Sequence, residues 1–174
     1  METLKTIVRR KSTRNFNPDK TVSKEDIHKI ILAGCASPVG ASEYESLHIT
    51  VVQGDTLKSV ADYAQQAFHT DQSPLYNAPV FIILSASEKQ TYPNAQYANS
   101  ACVIENMLLS ATDLGIDSVY IWGVITVIAD NQELLDILKI PKGFRPVSGA
   151  LFGYSLEKNE SEKELSVTIP ITYI

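Results

Sequence analysis

Hydrophobic and polar residues alternate with helical and strand periods along the chain. Helical spacing predicts helices over 2–9, from Ser23 to 37, over 55–68 and over 96–114, and a further helix starting after Asp130. Ser23, Asp55 and the Asp130/Glu133 pair are the predicted helix starts. Strand patterns cover 47–54, 78–87, 117–124 and 145–155, and a β-branched tail closes the chain at 165–174.

Two of these segments predict deep burial. The run at 78–87 is almost continuously apolar, which is typical of a strand covered on both faces. The helix at 96–114 is apolar nearly all round and ends near Gly115, so it is predicted to be central and buried.

Pro170 cannot donate to a strand ladder, so the tail at 165–174 is predicted to be an edge strand or an arm that lies on another surface.

Composition narrows the class of protein. The chain has 174 residues, 44% of them hydrophobic and 20% charged, which predicts one globular domain over 1–174, with 155–174 as connector and arm. The formal net charge of -5 argues against non-specific nucleic-acid binding. No apolar run is long enough to cross a membrane, and the start lacks a secretory apolar region, so a cytoplasmic protein with reduced thiols is predicted.

Familiar cofactor and metal patterns are missing from the sequence. GxGxxG and Walker patterns are absent, so the sequence argues against a Rossmann or P-loop site. Cys35 and Cys102 are isolated and the three histidines are scattered, so no metal site is predicted.

One short stretch, RRKSTRNF at 9–16, is strongly basic, although the chain as a whole has a negative net charge. It holds four cations and two hydroxyls in eight residues. Two interpretations are open: a hydrated basic surface, or a site for a specific anion, since arginine offers fixed charge and paired donors to a phosphate.

Three longer segments carry a resemblance to a known family. RRKSTRNFNPDKTVSKEDIHKIILAGCASP, ENMLLSATDLGIDSVYIWGV and LKIPKGFRPVSGALFGYS together resemble the FMN-dependent nitroreductase family over about residues 3–154. The resemblance implies an α+β fold: a three-layer α/β/α sandwich with a central mixed, mainly antiparallel sheet. It also implies a homodimer with FMN at the interface and C-terminal arms exchanged between the subunits.

The resemblance also implies roles for particular residues. Arg10 and Ser12 would bind the flavin phosphate, Lys11 would assist through its backbone, and Arg14 would contact the ribityl chain or ring, whereas Arg9 would be surface. The residues implied near the flavin ring are Ser37, Pro38, Ser42, Ile121, Trp122 and Gly123. The family's C-terminal basic pair has only two candidates here, Lys158 and Lys163, of which Lys163 is preferred.

Some of these roles leave alternatives open. The loop 42–46 departs from the family pattern, and Tyr44 is either a stacking residue or a surface tyrosine. Trp122 either forms a pocket wall or belongs to the core, and Asn99 replaces a common Asp in a structural role.

The implied activity is a ping-pong oxidoreductase that passes electrons from NAD(P)H through FMN to nitroaromatics, quinones or similar acceptors. The alternatives are a non-catalytic flavin- or nucleotide-binding regulatory protein and a specialised flavin-consuming or dehalogenating relative.

Overall fold

A computed structural model describes residues 2–157 and 161–174. Six α-helices and four β-strands are defined in this part of the chain. In chain order they are α1 (Thr3–Arg9), α2 (Lys24–Cys35), β1 (Leu47–Val52), α3 (Gly54–Ala67), β2 (Val80–Ser87), α4 (Ala95–Asp113), β3 (Asp117–Ile121), α5 (Gly123–Ala129), α6 (Gln132–Ile137) and β4 (Phe144–Gly153).

The strands form one sheet in the order β1-β2-β4-β3, in which every neighbouring pair is antiparallel. This agrees with the predicted mainly antiparallel sheet, and none of the three strand pairs is parallel, because the four strands alternate in direction. Strand β4 returns between β2 and β3 and opposes both, so it pairs along its whole length. The one parallel pairing among the described residues is an isolated bridge between Ser12 and Ser118.

Helices cover both faces of this sheet. On one face α3, α5 and α6 pack against side chains such as Phe81, Ile83 and Leu151. On the other face α2 and α4 pack against Ile82 and Phe152. Strand β2 is buried from Val80 to Ala86, which confirms the prediction of a strand covered on both sides.

Close packing joins α2 to α4. Gly34 lies inside α2, as the sequence predicts, and a Cβ there would come within 2.5 Å of Met107 Cε. The prediction that α4 is central and buried is correct for one side of the helix only, because a stripe of it is exposed in this chain. The stripe comprises Tyr97, Ala98, Ala101, Cys102 and Glu105, and Asp113 at the end of the helix is exposed as well. The helix has the sheet and α2 on one side only, so the opposite flank faces outward.

The ends of several elements also differ from the predictions. Ser23 caps α2, as predicted, by accepting a hydrogen bond from the Asp26 N–H at 3.0 Å. At α3 the N-cap is Gln53, two residues before the predicted Asp55, and Gly54, the first residue of the helix, has φ +60. At α6 the cap is Asn131, whose amide oxygen accepts the Leu134 N–H at 3.0 Å.

The predicted strand 117–124 is too long. Strand β3 ends at Ile121, and Gly123 begins α5, a helix that the sequence analysis did not predict. The apolar run after Gly123 fits a buried helix as well as a strand, since a short run of that kind carries no distinguishing period.

The C-terminal residues 161–174 contain no helix or strand and are exposed. Just before them, Ser155 bridges to Phe16, and further on the Lys163 N–H donates to the Val8 carbonyl at 3.0 Å. No helix in residues 2–157 or 161–174 is long and apolar enough to span a membrane.

Candidate functional site

The basic segment that follows α1 lies in extended conformation beside β3. The Thr13 N–H donates to the Ser118 carbonyl at 3.0 Å, and Ser12 pairs with Ser118 in the parallel bridge. Thr13 and Phe16 are buried, whereas Ser12 and Arg14 are exposed. Because side chains alternate along an extended chain, Ser12 and Arg14 lie on the same outward side.

At the N-terminal end of this segment, Arg10 pairs with a carboxylate and Lys163 lies nearby. Arg10 Nε lies 3.5 Å from Glu105 Oε1 of α4, and the Arg10 side chain is only 24% exposed. Loss of hydration and the nearby charge of Arg10 lower the pKa of Lys163, while Glu105 acts in the opposite direction. The Lys163 N–H donates to the Val8 carbonyl, which places Lys163 beside the end of α1 and near Arg10. Lys158, the other C-terminal candidate, lies outside the described residues.

At the other end, Arg14 lines a cleft of about 420 Å³ together with the end of β3. The same cleft contains three of the predicted ring-contacting residues, Ile121, Trp122 and Gly123. The remaining lining residues come mainly from the loop after α3 and from β3: Phe68, Thr70, Gln72, Ser73, Pro74, Tyr76, Val119, Tyr120 and Val124.

Trp122 forms a wall of this cleft and does not belong to the core. Its side chain is 51% exposed, and its ring lies 6.0 Å from that of Tyr97 between centroids. A Cβ added to Gly123 would meet only Phe68 Cζ, at an ordinary contact distance of 3.8 Å. Packing within the chain therefore does not require a glycine at this position.

The loop after α2 is held by α4. Ser37 is fully buried, and its hydroxyl donates to the Cys102 carbonyl at 3.0 Å. The Gly40 N–H donates to Asn99 Oδ1 at 3.0 Å, which gives Asn99 the structural role that was predicted. The Tyr44 hydroxyl donates to the Ser37 carbonyl at 3.1 Å, although the tyrosine is 49% exposed.

Two further predicted residues of this loop, Pro38 and Ser42, are exposed, and Ser42 has φ +57. The described side-chain hydrogen bonds of the loop are with α4, with Thr91 shortly before α4, and within the loop itself. Within one chain, Ser37, Pro38 and Ser42 therefore form a group separate from the cations of the basic segment 9–16.

Lys11 lies on a different side of the basic segment from the Arg14 cleft. Together with Arg9 and Lys20 it lines a separate cavity of about 430 Å³ near Tyr154. Arg9 itself forms an exposed ion pair with Glu162, with 3.0 Å between Nε and Oε1.

Sequence reasoning missed two features of this region. The first is Glu105, and the signal that would have found it is its position as the one charged residue between Gln96 and Thr112, within an apolar helix. The second is the wall formed by Phe68 and the residues after it, which resembled an ordinary polar loop. No local pattern distinguishes a loop that lines a cleft from one that does not.

The fold and the site together define a class: α+β proteins with a four-stranded antiparallel sheet between helical layers and a cationic segment beside one edge strand. Residues 7–154 match the Nitroreductase family. The chain belongs to the nitroreductase family.

Relatives and solved structures agree with this assignment. A protein of Archaeoglobus fulgidus, provisionally named an NADH dehydrogenase/NAD(P)H nitroreductase, is 32% identical over 161 residues, covering 91% of this chain and 88% of that protein. The FMN reductase [NAD(P)H] of Bacillus subtilis is 23% identical over 184 residues, covering 94% of this chain and 70% of that protein. The crystal structure of a nitroreductase with bound FMN from Bacteroides fragilis has a TM-score of 0.84 and 28% identity, covering 99% of this chain and 100% of the other.

Proposed function

We propose that this protein is an FMN-dependent oxidoreductase that passes electrons from NAD(P)H to small acceptors such as nitroaromatics and quinones. The observation that carries the proposal is the arrangement along residues 10–14. Arg10 and Lys163 lie near one end of an extended segment, and a cleft with an exposed tryptophan lies at the other. FMN has the same order of parts, with a phosphate, a polar chain and a flat ring.

The residues present fit this cofactor. Arg10, Ser12 and Lys163 would hold the phosphate, because two cations against one carboxylate leave an excess of positive charge there. Arg14 would contact the ribityl chain or ring from its place in the cleft. Lys11 would contribute its backbone only, since its side chain lines the separate cavity.

The ring would lie against the end of β3. Ile121 and Trp122 supply apolar and aromatic surface there, and Gly123 leaves the backbone uncovered for a close approach. When bound, FMN supplies the redox chemistry, which fits the absence of any acid/base constellation among the predicted residues. The chain's own contribution is to bind the cofactor, orient it and shape the acceptor cleft.

The active form that we propose is a homodimer with the flavin at its interface. Strand β1 lies at the edge of the sheet, and a cavity of about 420 Å³ follows it along 48–53. Such an edge offers unpaired backbone groups to an added strand. The tail 165–174 alternates apolar and polar residues and is exposed, so the partner's tail is a suitable occupant.

A second copy would also explain the separated loop. The loop that carries Ser37, Pro38 and Ser42 is held on α4 through the first of these residues. It lies beside the exposed stripe of α4, which is apolar apart from Glu105 and suited to an interface. Across that interface the three loop residues would approach the flavin of the partner. The cytoplasmic location that the sequence predicts stays a prediction.

The test is to purify the protein, reconstitute it with FMN and identify the bound cofactor by chromatography after denaturation. Loaded protein should be bleached by NADH or NADPH under anaerobic conditions and recover its colour on addition of a quinone or nitroaromatic. Double-reciprocal plots of the steady-state rate should be parallel for a ping-pong mechanism. Failure to take up FMN would overturn the proposal, whereas FMN binding without reduction by either nicotinamide would favour a regulatory protein.

A further inference from the structure

The carboxylate at the proposed phosphate site is not explained by cofactor binding. Glu105 lies on α4, its Oε1 is 3.5 Å from Arg10 Nε, and its side chain is 50% exposed. A carboxylate in this position offsets one of the two cations before any anion binds. It also repels a phosphate, which carries close to two negative charges near neutral pH.

We infer that Glu105 limits the affinity of the site for phosphorylated flavin and so keeps the cofactor exchangeable. This inference rests on the proposed function, because it names a residue that regulates the same site. Arg10, Lys163 and Glu105 together carry a net charge of about +1, and removing the carboxylate charge would raise it to about +2.

The alternative role for Glu105 is to orient Arg10. Their separation of 3.5 Å and the half-exposed carboxylate make this a weak ion pair, of the kind that contributes little to stability. A glutamine in the same place keeps the side-chain length and an oxygen that accepts from Arg10 Nε. Glu105→Gln therefore removes the charge while keeping the means of orientation.

The test measures the affinity of the apo protein for FMN and for riboflavin, which lacks the phosphate. Glu105→Gln should bind FMN about three- to tenfold more tightly at low salt, as expected for one partly screened charge, and riboflavin within about twofold of the unsubstituted protein. The gain should shrink as ionic strength rises, because salt screens exposed charges. Glu105→Ala should show the same preference for FMN, which guards against a folding defect peculiar to one substitution.

Glu162→Gln is the matched control. It removes a carboxylate that is paired with Arg9, outside the proposed phosphate site, and should leave the ratio of FMN to riboflavin affinity unchanged. Equal or weaker FMN binding by both Glu105 variants would overturn the inference while leaving the proposed function intact. An unsubstituted protein that binds neither flavin would overturn both.

Discussion

At the scale of single residues, position along the segment 9–16 decides what each cation does. Arg10 turns toward α4, Arg14 lines the cleft beside β3, and Arg9 and Lys11 line a different cavity. Arg9 is the last residue of α1, and in the extended chain that follows, alternation separates Lys11 from Arg10 and Arg14. The four cations are therefore not one patch, and they should respond differently to substitution.

Replacing Arg10 or Arg14 by Ala should weaken FMN binding by about ten- to a hundredfold. Each substitution removes a charge-assisted contact worth roughly 1.5–3 kcal/mol. Lys at either position should restore only part of the affinity, because it keeps the charge but loses the planar fork. FMN titration of the apo proteins, followed by flavin fluorescence, measures both effects.

Arg9→Ala is the control for this pair. Its partner is the exposed Glu162, so the substitution should change affinity and stability by no more than about 1 kcal/mol. Equal affinities across Arg10→Ala, Arg14→Ala and Arg9→Ala would contradict the assignment of the site.

Gly149 is a residue whose role is purely one of space. It lies in the middle of β4, where a Cβ would come within 2.7 Å of Phe81 Cε2 and 2.9 Å of the Ile82 carbonyl oxygen. The backbone atom cannot move aside, so Gly149→Ala should lower the free energy of unfolding by about 1–3 kcal/mol. Urea denaturation is the measurement.

Gly34→Ala makes a useful comparison with Gly149→Ala. The atom it would meet first is the end of a flexible methionine, Met107 Cε, and alanine gains up to about 1 kcal/mol of helix propensity over glycine. Its net loss of stability should be the smaller of the two. The reverse order would show that backbone proximity is not what limits Gly149.

At the scale of elements, two helices begin with the same kind of cap in different electrostatic settings. Ser23 accepts from the Asp26 N–H, and its own hydroxyl donates to Asp26 Oδ2 at 2.7 Å. This hydrogen bond is the main reason that the pKa of Asp26 is lowered; loss of hydration acts in the opposite direction, and Lys29 lowers the pKa further. Asn131 caps α6 by accepting from the Leu134 N–H.

Ser23→Ala should cost about 1 kcal/mol of stability near neutral pH, as is usual for loss of a cap. The substitution should also reduce the amount by which the free energy of unfolding falls at acid pH. Because the pKa of Asp26 is lower in the folded protein than in the unfolded chain, its contribution is present above about pH 4. That contribution is lost as the pH falls through the lowered value.

Asn131→Ala separates capping from titration. It should show a similar loss of stability near neutral pH with the acid dependence of the unsubstituted protein retained. Urea denaturation at a series of pH values between about 2 and 7 compares the two variants. An unchanged acid dependence in Ser23→Ala would show that the Ser23–Asp26 hydrogen bond does not control the titration.

At the scale of the whole molecule, three surfaces suited to pairing are left uncovered in a single chain. These are the edge at β1, the apolar stripe on α4 and the exposed tail, in which Val167 is 78% exposed and Ile169 75%. A single copy leaves all three in water, which is an unfavourable exposure of apolar surface. Pairing two copies would cover them together.

Light scattering should therefore give a mass of about 38 kDa, twice the 19.2 kDa of one chain. Deleting 165–174 should weaken the dimer and lower FMN occupancy at the same time, because the proposed site lies at the interface. Replacing Val167 and Ile169 by Ser should act in the same direction without shortening the chain. A stable, flavin-loaded monomer would contradict the proposed assembly.

Local sequence was sufficient for much of the fold. The α2 cap at Ser23, the burial of β2, the glycine inside α2 and the family were all predicted, because each depends on neighbouring residues or on motifs in a fixed order. The candidate site was predicted as a set of residue types. The resemblance also implied that Arg10 and Arg14 serve different ends of the segment 10–14, but neither Glu105 nor the cleft wall after Phe68 was predicted.

Tertiary structure decided what depends on contacts between distant segments. The place where β4 inserts into the sheet decides the strand directions, the exposed flank of α4 and the start of α5 at Gly123. No short stretch of sequence encodes the place of insertion. Glu105 meets Arg10 only because α4 passes the end of α1. Sequence by itself determined the family and most of the elements, with α5 as the exception, through short-range propensity and pattern. The fold determined which charges face one another, because electrostatic contacts depend on distance in space.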